Sequence, residues 1–412
     1  MGCTNCSNCP VRCGQPSTTP VHQESEAKST PNKSEQQPVI PRETNLPPID
    51  VNNLPVTVPK PDEPVKCVVL VSGGLDSLLV TKILADMGLH VIVYHGVHAF
   101  EPSKFNRHES AQKLKEKVLG LGAKEVVLIE TSMTILDFVR NPQYGVGKSK
   151  ANPCLDCRKM NITNALNIMK EHGAAFIASG EVIGQRPMSQ RKEAMGLLDS
   201  EIAKMGYAGF VLRPLCAKNL VPTIPERLGW IDRNKLYDFS GRTRKPQLAL
   251  AKKIGLGKFP SPGGGCLLTL VGPAKRILDY IANETPTNPI TMTHLDFLAL
   301  GRHFRYSPTQ TIVVARDEGE CKKVVELAPK HVMYSAYPAT GSIAVVFGPI
   351  SPDFEDFVSG VVLYYSKSKN DEVASVSKFG GEDEVDYYDG IKIGNKKVLK
   401  RDEFVDKFIG ME

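Results

Sequence analysis

A short apolar run that turns at once into a helix constrains this chain more than any other stretch. Cys67-Val68-Val69-Leu70-Val71 is too short for a helix and rich in β-branched residues, so it predicts a buried strand. Ser72-Gly73-Gly74-Leu75-Asp76-Ser77 follows. Then Leu78-Leu79-Val80, Ile83-Leu84 and Met87 recur at helical spacing, with Gly88 as the stop. A strand that passes through two glycines into a helix leaves free backbone N–H groups at the positive end of the helix dipole, which favours an anion there. Gly73 and Gly74 let the backbone approach that anion, and Ser72 and Ser77 carry hydroxyl donors. Asp76 suits a helix N-cap or a Mg²⁺ ligand. The Lys of G-x-x-x-x-G-K-[ST] and the spacing of G-x-G-x-x-G are both missing. A β-turn-α connection without a ligand is the alternative reading.

From Val65 to about Leu215 strands alternate with helices. Val91-Ile92-Val93-Tyr94, Glu125 to Ile129, Ala175 to Ser179 and Phe210-Val211-Leu212 predict further strands. Helices are expected over Glu109 to Leu119, Arg158 to Glu171 and Gln190 to Met205. Such alternation predicts an α/β fold, a Rossmann-like parallel sheet covered on both faces. Ligands of such sheets gather at the carboxyl ends of the strands. Ser72, His95 to His98 and Ser179-Gly180-Glu181 are therefore expected around one crevice, with His95 and His98 lining it.

Three parts are expected: a tail over 1–64, an α/β domain over 65–285 and a small α+β domain over 286–412. Twelve of the 30 prolines fall in the tail, among Ser, Thr, Gln and Asn without hydrophobic period, so it reads as disordered. A helix is expected near Pro246 to Ile254. Beyond Pro286, Thr311 to Ala315 and Ile343 to Phe347 predict strands of the last domain, and the acidic run Glu382 to Asp386 reads as a solvated loop. Hydrophobic content of 41% and charged content of 23% belong to a soluble globular chain. No apolar stretch approaches the roughly 20 residues of a membrane span. No hydrophobic signal core opens the sequence, so a cytoplasmic protein without membrane contact is expected. A net charge of +6 permits nucleic-acid binding without requiring it.

The ten cysteines are unevenly placed. In a cytosolic chain they point to metal or redox sulfur rather than structural disulfides. Asn152-Pro153-Cys154-Leu155-Asp156-Cys157-Arg158-Lys159 sets a C-x-x-C at a helix start before two cations, which predicts low-pKa thiols at Cys154 and Cys157. A third thiol, Cys266, follows Pro262-Gly263-Gly264-Gly265. Four options stay open for this trio: a [4Fe–4S] cluster with one open iron, a nucleophile and persulfide pair, zinc completed by a partner such as a histidine, or a purely structural role. Cys3, Cys6, Cys9 and Cys13 match the ferredoxin run C-x₂-C-x₂-C-x₃-C, with Gly14 in place of the proline. A cluster, a zinc or copper site, a sulfur-relay tail and a plain disordered tail are all open there. Arg186, Arg213, Arg242, Arg244 and Lys245 are candidate phosphate contacts, three of them in the single loop Gly241-Arg242-Thr243-Arg244-Lys245.

Ser-Gly-Gly-Leu-Asp-Ser resembles the PP-loop of the N-type ATP pyrophosphatases. With Cys154-x-x-Cys157, then Ser179-Gly180-Glu181-Val182-Ile183-Gly184-Gln185-Arg186-Pro187-Met188-Ser189-Gln190, then Cys266, residues 65–275 resemble PP-loop tRNA thiouridine synthetases. The resemblance implies adenylation of a uridine carbonyl in tRNA, with release of AMP and pyrophosphate, followed by sulfur insertion. It implies ATP bound by Ser72, Gly73, Gly74, Leu75, Asp76, Ser77, His95 and Gly180, with Mg²⁺ at Asp76. It also implies catalysis through Asp76, Cys154, Cys157 and Cys266, the three cysteines holding an iron–sulfur cluster, and RNA contacts at Arg186, Arg242, Arg244 and Lys245. Its partners would be tRNA and a sulfur donor: a cysteine desulfurase, sulfide or a sulfur carrier. An RNA-binding module of the THUMP kind is not seen. Leu300-Gly301-Arg302-His303-Phe304-Arg305 resembles the RNA-binding domain of NFACT proteins instead. Two alternatives remain: a PP-loop enzyme acting on a small molecule, and a non-catalytic RNA-binding or metal-sensing protein.

Overall fold

A computed structural model of the chain describes residues 46–102, 107–257, 259, 265–338, 341–381 and 391–409. Cys3, Cys6, Cys9 and Cys13, the glycines 263 and 264 and the acidic run 382–386 lie outside the described residues. Five parallel strands form the first sheet: β1 (Lys66–Leu70), β2 (His90–Val97), β3 (Glu125–Glu130), β4 (Phe176–Ser179) and β5 (Val211–Leu212). Their order is β3-β2-β1-β4-β5. Leu70 is in register with Tyr94 on one side and Ser179 on the other, so β1 is the central strand and the connections reverse beside it. Such a reversal opens a crevice at the carboxyl ends of the strands.

The helices of this part are α1 (Leu75–Asp86), α2 (Arg107–Gly120), α3 (Ser132–Arg140), α4 (Cys154–Glu171) and α5 (Lys192–Lys204), then α6 (Ile224–Arg227) and α7 (Lys245–Lys253). The α/β, Rossmann-like expectation holds. The apolar residues of β1, Val68 and Val69 among them, are fully buried with Leu78, Leu79 and Leu84 of α1. Gly88, at φ +84°, ends α1 in the left-handed conformation that favours glycine. The expected disordered tail runs to residue 64, yet residues 46–64 are described. Leu54 and Val56 pack against the core, because they cover apolar surface beside Met169 and Ala174.

Two helices, α8 (Val271–Ala282) and α9 (Met292–Asp296), lead to a second sheet. It holds β6 (Arg302–Ser307), β7 (Gln310–Val314), β8 (Val332–Ala336), β9 (Ile343–Phe347), β10 (Val373–Gly380), β11 (Ile391–Lys397) and β12 (Phe408–Ile409), in the order β11-β10-β8-β9-β7-β6-β12. All its pairings are antiparallel. Two helices cover it, α10 (Glu318–Leu327) and α11 (Pro352–Tyr364). Side chains alternate across the pleat: Ile312, Val314, Ala344 and Val346 join Phe354 and Val358 of α11, while Val313, Ile343 and Val345 join Val324 of α10. This is the expected small α+β architecture. No helix among the described residues is long and apolar enough to cross a membrane.

Candidate nucleotide and thiol site

The hexapeptide occupies the turn from β1 to α1. Gly73 sits at φ +74°, which a side chain would strain, and Gly74 is the N-cap of α1. Ser72 is exposed at the crevice, whereas Leu75 is buried and anchors the helix in the core. The Leu75 side chain is thus given to packing, which leaves only its backbone facing the turn. The Ser77 hydroxyl donates to the Gly74 carbonyl at 2.9 Å and so pins the turn. His95 plays a similar part, its Nδ1 lying 2.8 Å from the Val71 carbonyl. Gly180 fits directly under the turn: a Cβ there would stand 2.7 Å from the Ser77 nitrogen and 2.8 Å from the Asp76 carbonyl carbon.

Asp76 lies in the first turn of α1, two residues past the N-cap, which Gly74 occupies in its place. Its Oδ2 accepts from Gln185 Nε2 at 2.7 Å and from Arg244 Nη2 at 3.2 Å. Its Oδ1 is buried without a hydrogen-bond partner. A carboxylate oxygen left over in this way suits a hard divalent cation such as Mg²⁺.

The three thiols converge on the same edge of the sheet. Cys154 is the first residue of α4, so the helix begins at the C-x-x-C itself, four residues earlier than the periodicity indicates. Asn152 Nδ2 lies 3.4 Å from the Cys154 sulfur, and the Ser149 hydroxyl lies within hydrogen-bond distance of both Asn152 Oδ1, at 2.6 Å, and the Leu268 carbonyl, at 2.5 Å. That serine ties the loop before Cys154 to the segment after Cys266. The Leu267 amide in turn donates to the Phe100 carbonyl, just past β2, at 2.8 Å. Cys157 and Cys266 pack against one apolar cluster that contains Phe100, Ala151 and Leu268.

Cys157 is not the low-pKa thiol predicted, and Cys266 shares its direction. Burial, then the neighbouring Cys266 and Cys154 sulfurs and Asp156, push the Cys157 thiol well up. Burial above all pushes Cys266 up to about 11. The cations expected to favour thiolate are engaged elsewhere: Arg158 Nε donates to Glu181 at 2.7 Å, and Lys159 to Glu201 at 2.8 Å and to Tyr144 at 2.9 Å. Asp156, buried between the two cysteines and accepting from the Gln143 amide at 2.9 Å, adds negative charge at the helix start. Among the described residues no group of three or more His, Cys, Asp and Glu side chains is arranged to hold a metal ion. The trio therefore does not present a formed cluster or zinc site.

Further groups frame the crevice. His98 is held down to about 4 by burial and by His95, so its ring is neutral near pH 7. Glu101, which no motif marks, has its carboxyl raised by burial against the opposing effect of His95, and its charge is felt at Cys266. Glu181 is the hub. It accepts from Arg158 at 2.7 Å, Arg213 at 2.9 Å and the Ser179 hydroxyl at 3.1 Å. Burial opposes its charge, yet the two guanidiniums outweigh it and hold the carboxyl down to about 2.

The candidate RNA cations divide. Arg213 is buried in ion pairs with Glu181 and, at 2.7 Å, with Asp199, and cannot reach RNA. Arg244 is half-buried and pairs with Asp76 at the turn. Arg186, Arg242 and Lys245 are exposed. Arg186 sits beside the thiols, since a Cβ on Gly265 would lie 3.5 Å from its Nη1.

Residues 301–393 match the family model described as the NFACT protein RNA binding domain, which extends the likeness carried by Leu300 to Arg305. No curated protein sequence matches the chain. Among solved structures, a 4-thiouridine synthetase in complex with RNA and bound ATP is similar at 21% identity and a TM-score of 0.31, over 46% of this chain and 41% of that one. NMN synthetase from Francisella tularensis is similar at 13% identity and a TM-score of 0.28, over 59% and 84% of the two chains. NAD⁺ synthetase from Burkholderia pseudomallei gives 11% identity and a TM-score of 0.27, over 57% and 80%. The chain thus spans less than half the length of the thiouridine synthetase it matches.

Proposed function

We propose that this chain is a PP-loop ATPase that adenylates a carbonyl oxygen of a tRNA uridine, releases pyrophosphate, and replaces the adenylated oxygen by sulfur. One observation carries the reading: Cys154, Cys157 and Cys266 are gathered at the carboxyl edge of the sheet whose central strand ends in Ser72-Gly73-Gly74-Leu75-Asp76-Ser77. Anion seat and sulfur nucleophiles on one crevice are what such a two-step exchange needs.

The backbone of Ser72, Gly73 and Gly74 would hold the departing pyrophosphate at the positive end of α1. Asp76, through its unpartnered Oδ1, would hold Mg²⁺, which offsets charge on the phosphates. A uridine oxygen is a poor leaving group, and adenylation lets it depart as AMP. The terminal sulfur of a persulfide on one cysteine, loaded by an external sulfur donor, attacks the activated carbon while the C–O bond breaks. A second thiol of the trio then cleaves the S–S bond, so sulfur stays on the base and a Cys–Cys disulfide forms, which a dithiol reductant resets. The buried thiols must lose a proton first. Crevice-lining Glu101 is the nearby carboxylate whose charge reaches Cys266. An RNA-binding role for the second sheet is supported by its family match, and exposed Arg186, Arg242 and Lys245 are the phosphate contacts on the catalytic side.

The test is release of AMP and pyrophosphate from ATP and Mg²⁺ by the full chain, with and without unmodified bulk tRNA. Joint release of both, raised by tRNA and abolished by Asp76→Ala, is expected. Release of ADP, or equal turnover without tRNA, would sink the tRNA reading, and the latter would favour a small-molecule substrate.

A further inference from the structure

Arg244 and Gln247 stand at the start of α7, and both reach back to the turn between β1 and α1. Their delivery is precise. Ile183 and Ser240 form a bridge, the Gly241 amide donates to the Ile183 carbonyl at 2.7 Å, and the Gly184 amide donates to the Gln190 carbonyl at 2.7 Å. Two segments about sixty residues apart are thereby paired, Gln185 on one and Arg244 on the other. Gln247 Nε2 donates to Gln185 Oε1 at 2.9 Å, Gln185 donates to Asp76 Oδ2 at 2.7 Å, and Arg244 Nη2 joins the same oxygen at 3.2 Å.

This network leaves three buried polar atoms unpaired: Asp76 Oδ1, Arg244 Nε and Gln247 Oε1. Gln247 itself is fully buried. Buried polar atoms without partners are uncommon, and each asks for an explanation. These three have opposite needs. Asp76 Oδ1 and Gln247 Oε1 are acceptors that a cation would satisfy, and Arg244 Nε is a donor that an anion would satisfy. A ligand answering both at one place carries a divalent cation and phosphate oxygens together.

We propose that Arg244, Gln247 and Gln185 form a second wall of the nucleotide seat and recognise the metal–polyphosphate part of ATP. This rests on the ATP-dependent reading given above. Arg244 is already oriented by Asp76 through Nη2, which leaves Nε to donate to a phosphate, and Gln247 orders the metal side through Gln185 and its own oxygen. AMP lacks the groups this wall reads, so the wall separates substrate from product. An RNA phosphate is the other source of the same anion chemistry, and the test separates the two.

Binding of α,β-methylene-ATP with Mg²⁺, of AMP, and of tRNA without nucleotide is measured by calorimetry for the full chain and for Arg244→Gln and Gln247→Leu. Arg244→Gln should lose at least tenfold in affinity for the Mg²⁺ analogue, with AMP and tRNA affinities within twofold of wild type. Gln247→Leu leaves the ion pair to Asp76 in place and should raise the Mg²⁺ concentration needed for half-maximal analogue binding several-fold. Should Arg244→Gln fail to fold, as a thermal melt reveals, Gln247→Leu and Arg244→Lys carry the test. Unchanged or tighter analogue binding by the folded variants, with wild type binding normally, overturns this wall and leaves the ATP reading standing. A loss confined to tRNA affinity overturns it in favour of an RNA phosphate. Absence of analogue binding by wild type removes the ATP reading and this inference together.

Discussion

Glu181 shows what one residue decides here. It is buried with two guanidiniums on it, and one of them, Arg158, belongs to the helix that carries the C-x-x-C. Removing one partner of a buried ion pair strands the others, so Glu181→Gln should cost about 3–5 kcal/mol of stability in urea titration. Its pH dependence has a definite sign. The carboxyl falls from an ordinary 4.5 to about 2 on folding, so its contribution is complete above the unfolded value and is lost as pH falls toward the folded one. The stability gap between wild type and Glu181→Gln should therefore narrow from about pH 5 downward, and a constant gap would remove this account. At this scale the sequence is informative where backbone chemistry rules: Gly73 needs its positive φ, and Asp76 does sit in the first turn of α1. It misleads where a charge's partner lies far along the chain. Arg213 and Arg244 look like free cations in the sequence, but Glu181 and Asp76 claim them. The same holds for the thiols, whose neighbouring cations are spent on Glu181 and Glu201.

Among elements, the junction between the end of β4 and the start of α1 carries most of the site. Gly180→Ala would place a Cβ 2.7 Å from the Ser77 nitrogen, and backbone cannot yield as a side-chain tip can. Overpacking of this kind costs about 1–3 kcal/mol, so a lower melting temperature and weaker ATP-analogue binding are expected together. Gly74→Ala is the control. Its Cβ would meet only Ser72 Oγ, at 3.6 Å, so the melting temperature should stay near wild type. The β1–α1 unit and the alternation around it are legible because period and punctuation agree there. The helix α3 has no place among the expected elements, although Ile135, Leu136 and Val139 are spaced for one buried face. The start of α4 at Cys154 is marked by the C-x-x-C motif and not by the apolar period, because Pro153, with no side-chain acceptor, stands at the N-cap in place of Ser or Asp.

For the whole molecule, a charge of +6 is small, so affinity for tRNA should depend on a few placed cations. Replacing Arg242 and Lys245 by Glu should weaken tRNA binding and lower the slope of log K against log salt by about one for each phosphate no longer neutralised. ATP-analogue binding should be untouched, and a parallel fall in both affinities would count against separate sites. The change of pattern near Pro286 announces two sheets, but not what joins them, because that union is made by residues distant in sequence. Arg107 pairs with Asp296, and Arg140 with Glu284 at 2.6 Å. Ile290, Leu295 and Leu298 lie in the same buried cluster as Phe100, Leu136 and Ala151, the bed on which Cys157 and Cys266 rest. Arg276 of α8 donates to the carbonyls of Leu298, at 2.7 Å, and Gly301, at 3.0 Å, where the chain enters β6. A graft that exchanges the second sheet for another should keep everything through Leu298 with the first. Cut any earlier, it would carry away part of the floor beneath Cys157 and Cys266 along with the second sheet.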